Sequence, residues 1–259
     1  MALQLGRAVS DGVKRILTPT GAVLLVVLFA LQLLVQSSIN TAIVDAFPPG
    51  PAGELEAAFG LTLPVSGTVA SALALLAYLL ITGFLVALSR ALVRPRSELS
   101  SFPASLYTRR IGRATLAMLV AGILVGVAVT VGLVLFVLPG IFLAASLMFY
   151  IFAIGVEDRG VVSGLQRSWA LAGGNRLKLV ALVILSAVVG GVVGGVAAVF
   201  ELSGAPVVAE LISNAISSLL FTFLYGIMAA AYLQVRDDAG GSGAAGTPGS
   251  ATSSELYGG

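Results

Sequence analysis

The chain has 259 residues, of which 58% are hydrophobic and 10% are charged, and its formal net charge is +2. A soluble domain carries about a quarter charged residues, so this composition excludes an ordinary soluble protein and predicts an integral membrane protein. Because the sequence contains no Cys and no His, it also excludes thiol nucleophiles, disulfides, imidazole acid–base catalysis and zinc sites of the usual ligands.

Six apolar segments predict an all-α fold, a polytopic membrane protein with six transmembrane helices. The predicted spans cover about residues 21–39, 64–88, 114–137, 139–156, 179–200 and 207–233. A cleaved signal peptide is the alternative for the first segment, although its apolar run is longer than a usual signal core. Residues 1–236 form one predicted membrane domain, and the Gly- and Ser-rich residues 237–259 predict a disordered cytoplasmic tail.

The third and fourth spans come from one stretch, residues 114–156, which contains 43 residues without a charge. As one helix this stretch would be about 65 Å long, roughly twice the hydrocarbon thickness of a bilayer. It must therefore fold back on itself. Pro139 and Gly140 are the predicted break, because both residue types interrupt helices.

The charges are distributed among the connections in a way that predicts the topology. All fourteen Lys and Arg residues lie in the amino-terminal segment, the connections after the second and fourth spans, and the start of the tail. The other connections carry acidic residues only, among them Glu54 and Glu56. The positive-inside rule then places both termini in the cytoplasm of a multi-pass protein of the cell membrane.

Two segments beside the spans have helical periodicity and predict amphipathic helices at the cytoplasmic interface. Their apolar stripes are Leu5, Val9, Val13 and Ile16 in the first, and Val162, Leu165, Trp169 and Ala172 in the second. Aligned, residues 6–17 and 158–169 share Arg, Val, Gly and Arg at the same places, and residues 102–112 offer a more divergent third copy. The chain would then contain three units, each an interfacial helix and a two-span hairpin. Chance similarity among amphipathic segments is the alternative.

Residues 137–185 carry a recognisable series of short elements. These are Pro139 with Gly140, Glu157 with Asp158, Gly164 with Leu165, Ser168 with Trp169, and Gly174 with Asn175. The segment resembles the membrane domain that is attached to some glycerophosphodiester phosphodiesterases and that also occurs in stand-alone prokaryotic membrane proteins. The resemblance implies a helical membrane domain for support, regulation or lipid interaction. In the fused proteins a separate soluble domain performs hydrolysis, so no catalytic residue is carried over to this chain.

The basic connections contain candidate contacts for lipid headgroups or for a partner protein. These candidates are Arg94, Arg96, Arg109, Arg110, Arg113, Arg167 and Trp169. Cations beside the cytoplasmic surface attract anionic headgroups by about 1 kcal/mol each. The alternative is that these charges serve only to set the topology.

The last span contains a candidate intramembrane polar stripe. Its members are Glu210, Asn214, Ser217 and Ser218, spaced close to i, i+4, i+7 and i+8. Such a stripe should face other helices, where it either holds the helices together or forms a translocation or ligand site.

Two further patterns have structural and functional interpretations. Glu157 and Asp158 should stabilise the following helix as N-terminal acids or through ion pairs, with metal binding as the alternative. Glycines four residues apart, Gly190 with Gly194 and Gly122 with Gly126, predict close packing within the molecule, or else homodimerisation.

We therefore expect a non-catalytic accessory, scaffold or lipid-interacting protein, with no cofactor and no bound metal. The expected partners are membrane lipids, including anionic ones, and a membrane protein or a second copy of the chain. We expect no nucleic-acid partner. A small-molecule transporter or channel is the alternative, and an integral membrane enzyme ranks third because no acid, base and nucleophile converge on one face.

Overall fold

The computed structural model describes residues 3–48, 53, 59–99, 101, 103–202 and 204–244, and within these ranges it is helical with no β-strand. The α-helices are α1 Leu5–Ile16, α2 Pro19–Asp45, α3 Gly67–Leu92, α4 Ser105–Thr108, α5 Ile111–Leu135, α6 Val137–Leu147, α7 Tyr150–Gly155, α8 Val161–Ala172, α9 Arg176–Leu202 and α10 Pro206–Ala244. A short 3-10 helix, Arg96–Glu98, lies between α3 and α4.

Within the described ranges, six helical segments are long and apolar enough to cross a bilayer, which confirms the predicted fold class. They are α2, α3, α5, the combined α6 and α7, α9 and α10. Apolar side chains remain exposed along them, as lipid-facing side chains must; Val134 and Leu138 are 80% and 79% exposed. Most helices extend a few residues beyond the predicted spans. Their backbone hydrogen bonding continues past the apolar residues that defined those spans.

The fold-back of the third and fourth spans is present, but its break lies slightly earlier than predicted. The chain turns at Phe136, whose backbone is extended, and Pro139 lies in the first turn of α6. Proline is tolerated there, because its missing N–H has no partner within the helix. Gly140 keeps the hairpin tight, since a Cβ at this position would lie 2.6 Å from the backbone nitrogen of Leu133.

The contacts among the helices recur three times in chain order. Each short helix packs against the last span of another unit. The contacts are α4 with α3 and α8 with α6 and α7, both in the preceding unit, and α1 with α10, in the last unit. Neighbouring units also meet through equivalent spans, since α3 contacts α5, α6 contacts α9, and α10 contacts α2. The last unit therefore contacts the first. This closed pattern supports the threefold repeat that the sequence alignment predicts.

Two aligned glycines, Gly12 and Gly164, explain how the short helices approach the spans. A Cβ on Gly12 would lie 2.6 Å from the backbone of Ile227 in α10, and a Cβ on Gly164 would lie 2.6 Å from Cγ1 of Ile154 in α7. The buried face of α1 is Ala8, Gly12 and Ile16, whereas Val9 of the predicted apolar stripe is 37% exposed. Two of the three buried residues of α1, Ala8 and Gly12, are small, which allows the helices to approach closely.

The predicted glycine packing in α9 is wrong for the described part of the molecule. A Cβ on Gly190, Gly191, Gly194 or Gly195 would meet nothing within 4 Å, and the same holds for Gly126 in α5. Gly122 has one neighbour, the Tyr150 hydroxyl, at 3.4 Å from such a Cβ. Apart from Gly122, these glycines are exposed, so packing against the described residues does not account for them.

The largest buried side chains gather beside α7, at the end of the bundle that carries the basic connections. Phe149, Phe152 and Tyr232 are fully buried, and the rings of Phe152 and Tyr232 stack with centroids 5.0 Å apart. The last helix continues to Ala244, into the segment for which the sequence predicts disorder from residue 237. Residues 245–259, and also Glu54 and Glu56, lie outside the described residues.

Candidate functional site

The basic segments of the chain meet at one end of the bundle, which we call the basic end. The amino-terminal segment contacts the connection before α9: the Leu3 N–H donates to Asn175 Oδ1 at 2.9 Å, and Lys178 donates to the Leu3 carbonyl at 2.6 Å. It also contacts the end of α3, because Arg15 donates to the Leu92 carbonyl at 2.8 Å. Segments that are distant in sequence therefore form a single cation-rich surface.

Arg90, at the end of α3, is the hub of the basic end. Its side chain is 8% exposed, and it donates to the carbonyl oxygens of Gly155 at 2.7 Å, Arg109 at 2.8 Å and Leu106 at 3.2 Å. It also pairs with the Asp158 carboxylate at 3.0 Å. A guanidinium is stable in a buried place only when its donors have acceptors. Arg90 thereby joins α3 to the connections before α5 and α8.

The two acidic residues before α8 act through ion pairs. Glu157 accepts hydrogen bonds from Arg159 at 2.6 Å, from the Tyr232 hydroxyl at 2.8 Å and from Arg167 at 3.2 Å. Burial raises the pKa of Glu157, but the hydrogen bonds from Arg159, Tyr232 and Arg167 outweigh it, so the pKa lies below its ordinary value. Asp158 accepts from Arg109 as well as from Arg90. The ion-pair interpretation of these acids is confirmed, and α8 begins without a side-chain cap.

Most of the candidate lipid-contacting arginines are held by carboxylates. Arg94 pairs with Glu98 at 3.1 Å, Arg96 with Asp11 at 2.5 Å, Arg109 with Asp158, and Arg167 with Glu157. Arg110 and Arg113 are exposed and have no ion pair within the part of the chain that the structure describes. These two arginines are therefore the candidates that are free to contact another molecule.

Trp169 is fixed between α6 and α9. The Arg176 guanidinium lies 4.4 Å from the Trp169 ring centroid and 5.1 Å from that of Phe142, and the two rings meet edge to face at 5.8 Å. Trp169 remains 40% exposed and Val162 67% exposed, whereas Ala172 of the same predicted face is buried. An exposed indole edge held by a cation is typical of a side chain at a membrane interface.

Several of the elements that resemble a known family make structural contacts. Ser168, in α8, accepts a hydrogen bond from the Phe149 N–H at 3.1 Å, at the break between α6 and α7, and donates to the Ser146 carbonyl. Gly140 and Gly164 allow close helix approaches, and Asn175 holds the amino terminus. Gly164, Ser168 and Asn175 therefore contribute to packing at the basic end, whereas Gly140 lies at the hairpin between the third and fourth spans.

A polar cavity of about 630 Å³ lies toward the opposite end, between α2, α3 and α10. Three members of the predicted polar stripe, Glu210, Asn214 and Ser217, line it. The fourth, Ser218, instead donates to Gln32 Oε1 on α2 at 2.9 Å. Ser218 therefore joins two helices, as the packing interpretation predicts, and the other three residues face a cavity; the translocation or ligand site stays a prediction.

Glu210 is the charged group of this polar cavity. Its Oε2 accepts hydrogen bonds from the Leu61 N–H at 2.6 Å and from Asn40 Nδ2 at 3.3 Å. Asn40 in turn accepts from Gln36 at 3.0 Å. Glu210 Oε1 is buried and accepts no hydrogen bond within the described residues. One oxygen of the carboxylate is therefore held by the protein, and the other has no partner among the described residues.

Sequence reasoning missed Arg90 as a buried hub and the polar residues of α2. Gln32, Gln36 and Asn40 recur every four residues within an otherwise apolar span, and this period could have identified a polar helix face. Among the described residues, no group of three or more His, Cys, Asp or Glu side chains could hold a metal ion.

Comparison with known proteins identifies one family. The family described as "Domain of unknown function (DUF7847)" matches residues 3–235, which include α1 and nearly all of the six spanning segments. No curated protein and no solved structure matches the chain.

Proposed function

The chain belongs to the DUF7847 family, and we propose that it is a non-catalytic membrane protein whose cytoplasmic basic end binds anionic lipid headgroups. Under this proposal both termini lie in the cytoplasm of a cell-membrane protein. The domain would then serve as a membrane-embedded support, as its resemblance to the phosphodiesterase-associated membrane domain implies.

The proposal rests on the charges at the basic end, where the carboxylates are paired and several cations are exposed. Its acids are engaged in ion pairs with Arg90, Arg96, Arg109 and other cations. Exposed cations remain beside them, namely Arg7, Lys14, Arg110 and Arg113. Each exposed cation near an anionic membrane surface contributes about 1 kcal/mol of attraction, whereas a cation already paired with a carboxylate contributes less.

The positions of cationic and aromatic residues at this end also favour contact with lipid. Arg110 directly precedes α5, and Arg113 lies in its first turn, where a spanning helix begins. Trp169 exposes part of its ring on the same end of the bundle. Aromatic rings and cations near the ends of spans are the usual anchors at the headgroup level.

The test compares two double variants that remove the same charge. In mild detergent we would count the phosphatidylglycerol molecules retained by the wild type, by Arg110→Gln/Arg113→Gln and by Arg94→Gln/Arg96→Gln, using native mass spectrometry. We expect the first variant to retain fewer anionic lipids. The second should resemble the wild type, since its arginines are paired. Equal losses in both variants, or no loss in either, would refute the proposal.

A small-molecule transporter or channel is the second candidate function. The polar cavity favours it, because polar side chains inside a membrane bundle are costly unless they meet water, a solute or one another. Transport would further require that the cavity open alternately to both sides of the membrane. Uptake of a solute into vesicles that contain the purified protein would test it directly.

A further inference from the structure

We propose that the polar cavity is a binding site for a small solute that carries a protonated amine, with Glu210 Oε1 as the acceptor of an ammonium N–H. The inference does not depend on lipid binding at the basic end, which lies at the other end of the bundle. It depends on the position of Glu210, on the rest of the cavity lining and on the size of the cavity.

The carboxylate of Glu210 is held in one orientation. The Leu61 N–H and the Asn40 amide both donate to Oε2, and a Cβ on Gly60 would lie 2.8 Å from Glu210 Cβ, so the loop packs tightly against the side chain. A carboxylate positioned in this way needs little reorganisation when a ligand binds. Its Oε1 is buried and has no partner in the part of the chain that the structure describes, and buried polar atoms are rarely left unpaired.

The charge of the cavity lining favours a cationic solute. Among the described lining residues, Glu210 is the one carboxylic acid, and none is Lys, Arg or His. An anionic solute would therefore meet repulsion without compensation, whereas an ammonium group would find an opposite charge inside the cavity. Three aromatic rings, Phe59, Tyr78 and Phe221, line the same cavity and favour a cation in addition.

The remaining polar groups suit the uncharged part of such a solute. Ser213, Asn214 and Ser217 face the cavity from α10, and none of these side chains forms a hydrogen bond with the described part of the chain. Gln36 faces them from α2. These side chains can bind hydroxyl or carbonyl groups that the solute carries beside its amine.

The dimensions fit a small molecule. The volume of about 630 Å³ lies within the range of small-molecule sites, roughly 300–1,000 Å³. The lining on α10 extends from Pro206 to Phe221, which corresponds to about 22 Å along the helix axis. The cavity therefore reaches from the end of the bundle to about the middle of its spans.

The same amine chemistry occurs in free solutes and in the phosphatidylethanolamine headgroup. A lipid headgroup would bring a phosphate into the cavity, and the lining offers no cation to receive it. A free solute is therefore the favoured source, and the choice can be tested with the protein in bilayers of different composition.

The experiment measures the affinity for labelled ethanolamine by equilibrium dialysis, with the full-length protein in mild detergent. Unlabelled ethylene glycol, which lacks the charge, should not compete. Glu210→Gln preserves the size of the side chain and should weaken binding by about ten- to a hundredfold, as expected when a charge-assisted hydrogen bond is lost. Asp45→Asn is the matched control: Asp45 accepts from the Gly67 N–H at 2.8 Å and lies outside the lining, so affinity should not change.

A second variant keeps the test valid if Glu210→Gln does not fold. Asn214→Leu leaves the carboxylate in place, fills part of the cavity and should also weaken binding. Ethanolamine binding in nanodiscs of phosphatidylethanolamine is then compared with binding in nanodiscs of phosphatidylcholine. Weaker binding in phosphatidylethanolamine indicates that the lipid headgroup competes for the cavity, whereas equal binding indicates a free solute. Absence of ethanolamine binding to the wild type, or the same affinity in Glu210→Gln, would overturn the proposal.

Discussion

Arg90 and Asp158, 68 positions apart in the sequence, form a buried ion pair at 3.0 Å, with side chains that are 8% and 14% exposed. Asp158 has a left-handed backbone, with φ of 53°, a conformation that Asp adopts more readily than most residues. The pair ties the end of α3 to the turn before α8. It therefore joins the first and the third of the units that the sequence predicts, at the basic end.

Removal of the Arg90 side chain should destabilise the protein strongly. Arg90→Gln leaves Asp158 with Arg109 only and leaves three carbonyl oxygens without their donor, so we expect a loss of about 3 kcal/mol. Thermal unfolding in detergent would measure it. Arg94→Gln is the control, because Arg94 pairs with Glu98, which is 55% exposed, and should cost less than about 1 kcal/mol. Similar losses in the two variants would contradict the role of Arg90 as a hub.

Acidification should weaken the basic end through Glu157. Because the pKa of Glu157 in the folded protein lies below its unfolded value, its ionised form contributes stability that is fully present above the unfolded pKa. This contribution is lost as the pH falls through the folded pKa. The difference in unfolding temperature between the wild type and Glu157→Gln should therefore be largest near neutral pH and shrink below about pH 4.

A series of unfolding temperatures against pH would check this expectation. Glu98→Gln provides the comparison, since Glu98 is exposed and should change the pH profile little. A wild-type advantage over Glu157→Gln that stays constant down to acidic pH would show that the carboxylate contributes by packing and not by its charge.

Enlargement of Gly12 should separate α1 from α10. A Cβ at this position would lie 2.6 Å from backbone atoms of Ile227, which cannot rotate away, so we expect Gly12→Ala to cost about 1–3 kcal/mol. Gly6→Ala, in the same helix, would meet nothing within 4 Å and should stabilise the helix by up to about 1 kcal/mol. Unfolding temperatures that move in the same direction for both variants would refute the close-approach interpretation.

The fold class could be predicted because its signals are local. Each span is a continuous apolar run whose length matches a bilayer, and the uncharged run of residues 114–156 is too long for one crossing. The position of the turn, at Phe136, could not be predicted from the sequence. An extended residue followed by a first helical turn that contains proline is one of several ways to form such a hairpin. The alignment of Gly12 with Gly164 also had a local basis, and both glycines lie close to a spanning segment, Gly12 to backbone atoms of Ile227 and Gly164 to the Ile154 side chain.

The candidate site was predictable only in part. The sequence alone determined the number of spans, the segregation of positive charge and the polar stripe of α10, because hydropathy, charge and helical period belong to neighbouring residues. Only the tertiary structure decided which arginines are paired, that Glu210 accepts from the Leu61 N–H, and that Gln36 and Asn214 face one cavity. These relationships join residues that are far apart in the chain, and they depend on how six helices pack against one another, which no local pattern records.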